Sequence, residues 1–492
     1  MEIENTVTKK DNQEPSLKDK AAKGFFWGAA GSIIQQVTGL IFNIFIVRIL
    51  SPDDFGLIAM LAIFTAIANS IMDSGFSTAL INKKTVKHED YNAVFWFSLF
   101  IGIFLYIILF FAAPLIAKFY NRPILINLSR LIFISFIFSS LSVAHNAYLL
   151  KNIMVKKRSI IDVVAVFSSG IVGLTLALNG FVYWGLAIQL ITQCLTSTFL
   201  RWYLSAWRPS FDINFTPLKK MFKFSIKILL TNIISQINSN FLSMIFGRYY
   251  GGDLTGYYSQ GYKWGTLGTS VITSMINGVS HPVLIKAVDD IDRQKNILRK
   301  MIRFGAFISF PCLLGFAFIG KEFIIIMVGE KWLNSLFFFH VFCLWGSISF
   351  LWYLYLSVLL SHSKSGTYMW GMISLSFALI LVTVCMSSFG IMKMTVAYIS
   401  CHFLWLFFWH YFVNKMIGLS LWNVIKDISP YLITTIICIL TAWLITKGIT
   451  NIYVSILLKI LITSLLYITI MWKSNSVIVK DCLSFIKGKY IY

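Results

Sequence analysis

The feature that most constrains this chain is a succession of apolar runs, each about 20 residues long, the length an α-helix needs to cross a hydrocarbon core about 30 Å thick. Fourteen can be marked, near residues 24–47, 55–72, 92–113, 125–149, 160–178, 182–200, 224–246, 256–281, 302–319, 333–360, 368–388, 391–413, 428–446 and 451–472. Backbone held in hydrocarbon must satisfy its hydrogen bonds internally, which predicts helices here. The expected fold is therefore all-α, a polytopic membrane protein of fourteen transmembrane helices. Composition agrees, since 57% of the 492 residues are hydrophobic and 13% charged, against about 25% charged in soluble domains. The first run exceeds the ~7–15-residue core of a signal peptide and reads as a spanning helix.

The net charge of +22 could suggest nucleic acid. The basic residues lie between apolar runs, however, so nucleic acid is excluded as a partner and the bilayer takes its place. Thirty of the 42 Lys and Arg residues fall on the side of the N-terminus, eight on the other side and four within runs. Excess Lys and Arg marks the cytoplasmic side, which predicts a multi-pass protein with both termini cytoplasmic and residues 1–23 as a cytoplasmic tail. Runs five and six are joined by a tight turn at Asn179-Gly180, and runs eleven and twelve by Ser388-Phe389-Gly390. The longest loops, 201–223 and 282–301, leave no room for a soluble catalytic domain. The chain contains no Gly-x4-Gly-Lys-Ser/Thr, His-Glu-x2-His or Gly-x-Ser-x-Gly motif, so a non-enzyme without catalytic residues or cofactor is expected. The seven cysteines lie in or beside apolar runs without metal-like spacing, which argues against both a disulfide framework and a bound metal.

An offset of 200 residues aligns the first run with the seventh. Ile33, Ile34 and Gln36 match Ile233, Ile234 and Gln236, and Arg48, Asp53 and Gly56 match Arg248, Asp253 and Gly256. Isoleucine matches between apolar helices mean little; a shared Arg-x4-Asp-x2-Gly means more. The copies are the first and seventh runs, with five between them, so both point the same way across a membrane, as in transporters built from parallel repeats. The expected organisation is an N-terminal six-helix lobe (24–200), a cytoplasmic linker (201–223), a C-terminal six-helix lobe (224–413), and a helix pair with tail (414–492).

The turn after the first run, Arg48-Ile49-Leu50-Ser51-Pro52-Asp53-Asp54-Phe55-Gly56-Leu57, has its own physical logic. Ser51 suits an N-cap, Pro52 the first helical position, and Asp53 and Asp54 the positive helix start. Gly56 permits close packing, and Arg48 is placed to pair with Asp53 or Asp54. The same turn closely resembles that of Wzx-type polysaccharide flippases. Asp73-Ser74-Gly75-Phe76-Ser77-Thr78-Ala79-Leu80-Ile81 and Val94-Phe95-Trp96-Phe97 resemble the subfamily of colanic and teichuronic acid exporters, within the multidrug/oligosaccharidyl-lipid/polysaccharide exporter superfamily. These motifs cover the N-terminal third; beyond it the likeness is one of layout. The resemblance implies two six-helix lobes plus a terminal helix pair in a bacterial cytoplasmic membrane. It also implies translocation of undecaprenyl-pyrophosphate-linked oligosaccharide from the inner to the outer leaflet. A polysaccharide polymerase and chain-length machinery are the protein partners to expect.

A pyrophosphate head needs cationic partners, and cations within spans mark an aqueous cavity by default. Lys263, Arg130 and Lys227 are the candidates in the runs, with Arg48 and Arg248 at run ends, where a structural ion pair competes with ligand contact. Snorkelling to an interface competes for Arg130 and Lys227, and is the better reading of Lys459. Gln36, Asn43, Gln236 and Asn240 are candidate polar cavity lining, or helix-packing groups. Tyr257, Tyr258, Tyr262 and Trp264 could stack on sugars, although interfacial anchoring accounts better for Tyr257 and Tyr258. Gly24-x3-Gly28 and Gly261-x3-Gly265 read as close helix approaches. Competing functions are a lipid II flippase and a cation-coupled multidrug exporter, the latter disfavoured because runs one, seven and eight lack carboxylates. From another class, a membrane polysaccharide polymerase or glycosyltransferase would need a large external loop.

Overall fold

Local chemistry sets the helix ends. Asp290 accepts a hydrogen bond from the Arg293 N–H at 2.9 Å to start one helix, and Asn451 accepts from the Tyr453 N–H at 3.0 Å to start another; side-chain caps of this kind satisfy donors that a helix start leaves open. The computed structural model describes residues 17–474 and 478, and among these it contains no strand. The helices are α1 (Leu17–Ile49), α2 (Pro52–Asp73), α3 (Phe76–Asn82), α4 (His88–Tyr120), α5 (Leu125–Phe133), α6 (Ser135–Lys151), α7 (Val155–Leu178), α8 (Val182–Leu204), α9 (Thr216–Ile285), α10 (Ile291–Phe318), α11 (Gly320–Met327), α12 (Leu336–Ser361), α13 (Ser365–Met386), α14 (Ile391–Ile417), α15 (Leu421–Thr446) and α16 (Ile452–Lys473), with a 3-10 turn at Glu330–Ser335.

Eleven helical stretches among the described residues are long and apolar enough to cross a membrane, which makes the chain a polytopic, all-helical membrane protein. The remaining expected runs are helical too, but α8 and both arms of α9 carry more polar residues. Residues 1–16 of the expected tail lie outside the described residues. The turns at Asn179-Gly180 and Ser388–Gly390 are present, with Gly180 and Gly390 at φ 80° and 94°.

Three boundaries differ from expectation. The run at 125–149 is divided into α5 and α6 at Ile134, and the expected loop 282–301 shrinks to residues 286–290 because both flanking helices extend into it. The seventh and eighth runs are two helices, the two arms of α9, that meet without an intervening loop: Gly251, with φ of 83° and ψ of −175°, breaks the helix between them. That conformation is essentially reserved for glycine, so a single residue does the work of the expected turn.

Two compact units are distinguished. Unit 1 gathers residues up to Ile46 with Ala68–Pro114 and Ile124–Leu230; unit 2 gathers Val47–Ile67, Leu115–Pro123 and the chain from Thr231. In unit 1, α7 packs along α8 with Gln189 seated over Gly173. Thr198 ties α8 to α6 by donating to the Phe138 carbonyl at 2.8 Å. In unit 2 the core is built from α10, α12, α14 and α15 around Phe310, Phe350, Leu354 and Trp409. A buried carboxylate joins two of these helices: Asp427 of α15 accepts from Arg299 at 2.7 and 3.0 Å and from Arg303 at 2.7 Å, both on α10. Lys459 is not a snorkelling residue, because it forms an ion pair with Glu322 that pins α16 to α11, with both side chains largely buried.

Candidate functional site

The two Arg-x4-Asp-x2-Gly segments meet each other within unit 2. A Cβ on Gly56 would strike the backbone of Gly252, and one on Gly256 would strike the Pro52 carbonyl. The crossing is therefore backbone on backbone, as the close-packing reading of Gly56 requires. Ser51 and Asp54 close a reciprocal cap at the start of α2: the Ser51 N–H donates to the Asp54 carboxylate at 2.8 Å, and the Asp54 N–H donates to Ser51 Oγ at 3.4 Å.

The expected pairing of Arg48 with Asp53 or Asp54 is not what forms. Asp53 pairs instead with Arg122 at 3.0 Å, while Asp54 is engaged by Ser51. Arg48 donates through Nε to the Met327 carbonyl at 2.8 Å and through Nη2 to the Ile326 carbonyl. These carbonyls end α11, where unpaired acceptors and the negative pole of a helix favour a cation. Arg248 does the same elsewhere, donating to the Phe119 carbonyl at 2.5 Å at the end of α4. So the arginine of the first copy holds a helix end that follows the second copy, and the arginine of the second copy holds one that follows the first. Lys331 adds two 2.7 Å bonds to the carbonyls of Arg48 and Leu50, and Trp332 Nε1 one of 3.0 Å to that of Val47.

The other candidate cations are not gathered in one unit. Arg130 and Lys227 belong to unit 1, and Lys263 to unit 2. Arg130 is half-buried, lies 4.3 Å over the Phe110 ring and donates to the Phe110 carbonyl at 3.4 Å. Lys227 and Lys263 are exposed. Among the polar candidates Gln36 is exposed and Asn43 buried. Asn240 donates to the Gln236 carbonyl at 3.0 Å one turn back on α9, a local bond compatible with either reading of these amides.

Unit 2 also holds a half-open cavity of about 350 Å³ between α9, α12, α13 and α14. Tyr258 and Tyr262 line it, so Tyr258 is not an interfacial anchor; it is 3% exposed. Tyr257 and Trp264 pack elsewhere, against Trp332 and Phe323. Gly261 and Gly265 allow this wall to form, bringing the backbone of α9 against Phe338 and Phe342 of α12. Lys263 shares a helical stripe with Thr266 and Ser270, which line the cavity, because residues three and seven apart lie on one face. The facing wall of Trp345, Trp352, Tyr398 and His402 escaped the sequence reading. Its signal was the seven-residue spacing of the tryptophans and the four-residue spacing of Tyr398 and His402, each marking one helix face.

Comparison with known proteins places this geometry in a family. The profile described as "Polysaccharide biosynthesis protein" matches residues 45–336, more than half of the chain. Among curated relatives, an uncharacterised membrane protein in the cps region of Klebsiella pneumoniae is 27% identical over 65% of this chain and 66% of its own length. The lipopolysaccharide biosynthesis protein WzxC of Escherichia coli (strain K12) is 24% identical over 65% of each chain. The teichuronic acid biosynthesis protein TuaB of Bacillus subtilis (strain 168) is 26% identical over 55% of this chain and 56% of its own. The matches thus span less than two thirds of these relatives' lengths. Among solved structures, the lipid II flippase MurJ in an inward closed conformation superposes with a TM-score of 0.74 over 93% of this chain and 99% of its own, at 16% identity. An inward-facing multidrug resistance MATE family transporter gives a TM-score of 0.61 over 78% of this chain and 96% of its own, at 11% identity. The fold is shared with these solved transporters, and the resemblance to Wzx-type flippases is borne out by the profile and the named relatives. The chain belongs to the family of polysaccharide biosynthesis proteins, whose profile spans both of its Arg-x4-Asp-x2-Gly turns.

Proposed function

We propose that the chain is a flippase that carries undecaprenyl-pyrophosphate-linked oligosaccharide from the inner to the outer leaflet of a bacterial cytoplasmic membrane by alternating access. Membership in a polysaccharide biosynthesis family, on a fold shared with a lipid II flippase, is the observation that carries this reading. In it, α8 and both arms of α9 also cross the membrane, completing fourteen spans in two six-helix lobes and a terminal pair. Both termini are cytoplasmic, and polymerase and chain-length proteins take up the product. Lys263 meets the anionic head, with Arg130 and Lys227 as further contacts, while Arg48 and Arg248 act structurally through the helix ends they hold. Lipid II as cargo has the MurJ fold in its favour; relatives named for polysaccharide synthesis favour the first reading.

Two outcomes test it. Lys263→Gln is expected to lower flipping of a fluorescent lipid-linked oligosaccharide in proteoliposomes by about tenfold or more, as loss of one charge-assisted contact of ~1.5–3 kcal/mol implies, at unchanged protein abundance. Wild-type flipping by Lys263→Gln would remove this residue from the head site. An alkaline-phosphatase fusion after Tyr492 is expected to be inactive, and an active fusion would overturn the orientation.

A further inference from the structure

The cavity in unit 2 differs in kind from a cationic head site. None of the residues lining it is Asp, Glu, Lys or Arg. A pyrophosphate or a metal ion finds no opposite charge there, and a purely apolar ligand would strand its polar groups. Three hydroxyls of its wall share a one-sided arrangement. Thr266 Oγ1 donates to the Tyr262 carbonyl at 2.7 Å, Ser270 Oγ to that of Leu267 at 2.8 Å, and Ser349 Oγ to that of Gly346 at 2.9 Å. Each hydroxyl has one hydrogen and two lone pairs. With its hydrogen committed to its own helix, each is left to serve as an acceptor, and the cavity suits a ligand rich in O–H donors. Two buried nitrogens of the wall, Asn238 Nδ2 and His402 Nδ1, have no hydrogen-bond partner among the described residues; such atoms are costly until a partner arrives.

The remaining wall is aromatic. Trp345 stacks on His402 with centroids 5.1 Å apart and planes at 21°, and meets Trp352 edge to face at 6.3 Å and 80°. The electron-rich faces of such rings attract polarised C–H groups. At about 350 Å³, the space lies at the small end of the ~300–1,000 Å³ typical of small-molecule sites.

We propose that this cavity is a carbohydrate subsite that takes one neutral sugar residue, its C–H face on Trp345 or Trp352 and its hydroxyls on Thr266, Ser270, Ser349 and Asn238. As a subsite for cargo it rests on the flippase reading above, and it divides the labour: cations hold the anionic head, and an uncharged pocket reads a sugar. A uronic acid is disfavoured, because no Lys or Arg lines the pocket to neutralise its carboxylate.

The test uses the full chain in nanodiscs and a panel of free methyl glycosides: neutral hexosides, 6-deoxyhexosides, N-acetylhexosaminides and a glucuronide. Saturation-transfer NMR and tryptophan fluorescence report binding. At least one neutral glycoside should bind saturably and the glucuronide should not. Thr266→Val and Ser270→Ala should each weaken binding about tenfold, the scale of one lost hydrogen bond to a buried partner, and Trp352→Leu should abolish it. Thr266→Val keeps the side-chain shape and exchanges an acceptor for a methyl group, so it remains informative if the tryptophan variant fails to fold. No saturable binding by any neutral glycoside overturns the proposal, as does binding untouched by all three substitutions. Selective binding of tetramethylammonium, which aromatic cages also accept, overturns it as well. Flipping measured in the same protein separates the two readings: flipping without glycoside binding removes the subsite and leaves the flippase, whereas glycoside binding without flipping does the reverse.

Discussion

Gly256→Ala is expected to insert into the membrane at normal abundance and to lose most of its flipping activity. The added Cβ lands on the Pro52 carbonyl, and backbone cannot step aside as a side-chain tip can. Overpacking of this kind costs about 1–3 kcal/mol, so the crossing of the two turns should be populated roughly five- to hundredfold less. Gly56→Ala, which strikes Gly252, should behave alike. Gly315→Ala is the control, since nothing lies within 4 Å of the added carbon. In a background without native cysteines, the pair Asp53→Cys and Gly252→Cys should cross-link, because a Cβ on Gly252 would touch the Asp53 side chain. Adding Gly256→Ala should lower the cross-linking yield. Wild-type flipping by Gly256→Ala would show that the crossing plays no part in transport.

Asp427→Asn is expected to have the largest effect on stability. The carboxylate side chain is 2% exposed and binds Arg299 and Arg303 at once. Its removal leaves two guanidinium groups facing a neutral amide, and breaking a buried pair costs about 3–5 kcal/mol. The lower end applies, because the arginine side chains are 24% and 30% exposed and keep some access to water. Detergent-solubilised protein should unfold at a clearly lower temperature, and steady-state abundance should fall. An unchanged unfolding temperature would mean that α10 and α15 are held together by their apolar contacts alone.

The elements were legible where one physical rule acts locally. Apolar length announces the helices, and Ser51-Pro52 and Asn179-Gly180 mark ends because a cap or a positive φ is settled within a few residues. Partners distant in sequence were not legible. Charge and proximity pointed Arg48 toward Asp53 or Asp54, yet it donates to the helix-end carbonyls of Ile326 and Met327 while Arg122 and Ser51 take the two carboxylates, and no local pattern reveals these partners. Lys459 looked like a snorkelling residue because its partner Glu322 lies 137 residues away. The abrupt meeting of the two arms of α9 was hidden because nothing in the sequence tells Gly251, which breaks the helix, from Gly252 beside it. Of the unit 2 cavity only Tyr262 was legible as a stacking residue, since Tyr258 read better as an interfacial anchor. The facing wall needed α12 and α14 to be brought face to face before Trp345, Trp352 and His402 could be told from ordinary core aromatics.

The reciprocal hold of the two arginines bears on the history of the chain. After a duplication, the copies of a segment are free to drift apart unless something ties them. Here each copy forms part of the surface against which the other must fit. A change at Gly56 is judged by Gly252, and a change at Gly256 by Pro52. Each turn is the other's selective environment, so divergence in one is resisted by the other. On the reading of the two turns as repeats, that mutual constraint would keep Arg-x4-Asp-x2-Gly readable at an offset of 200 residues. It also predicts where compensation should arise: a damaging substitution in one turn is most readily rescued by a second in its opposite copy.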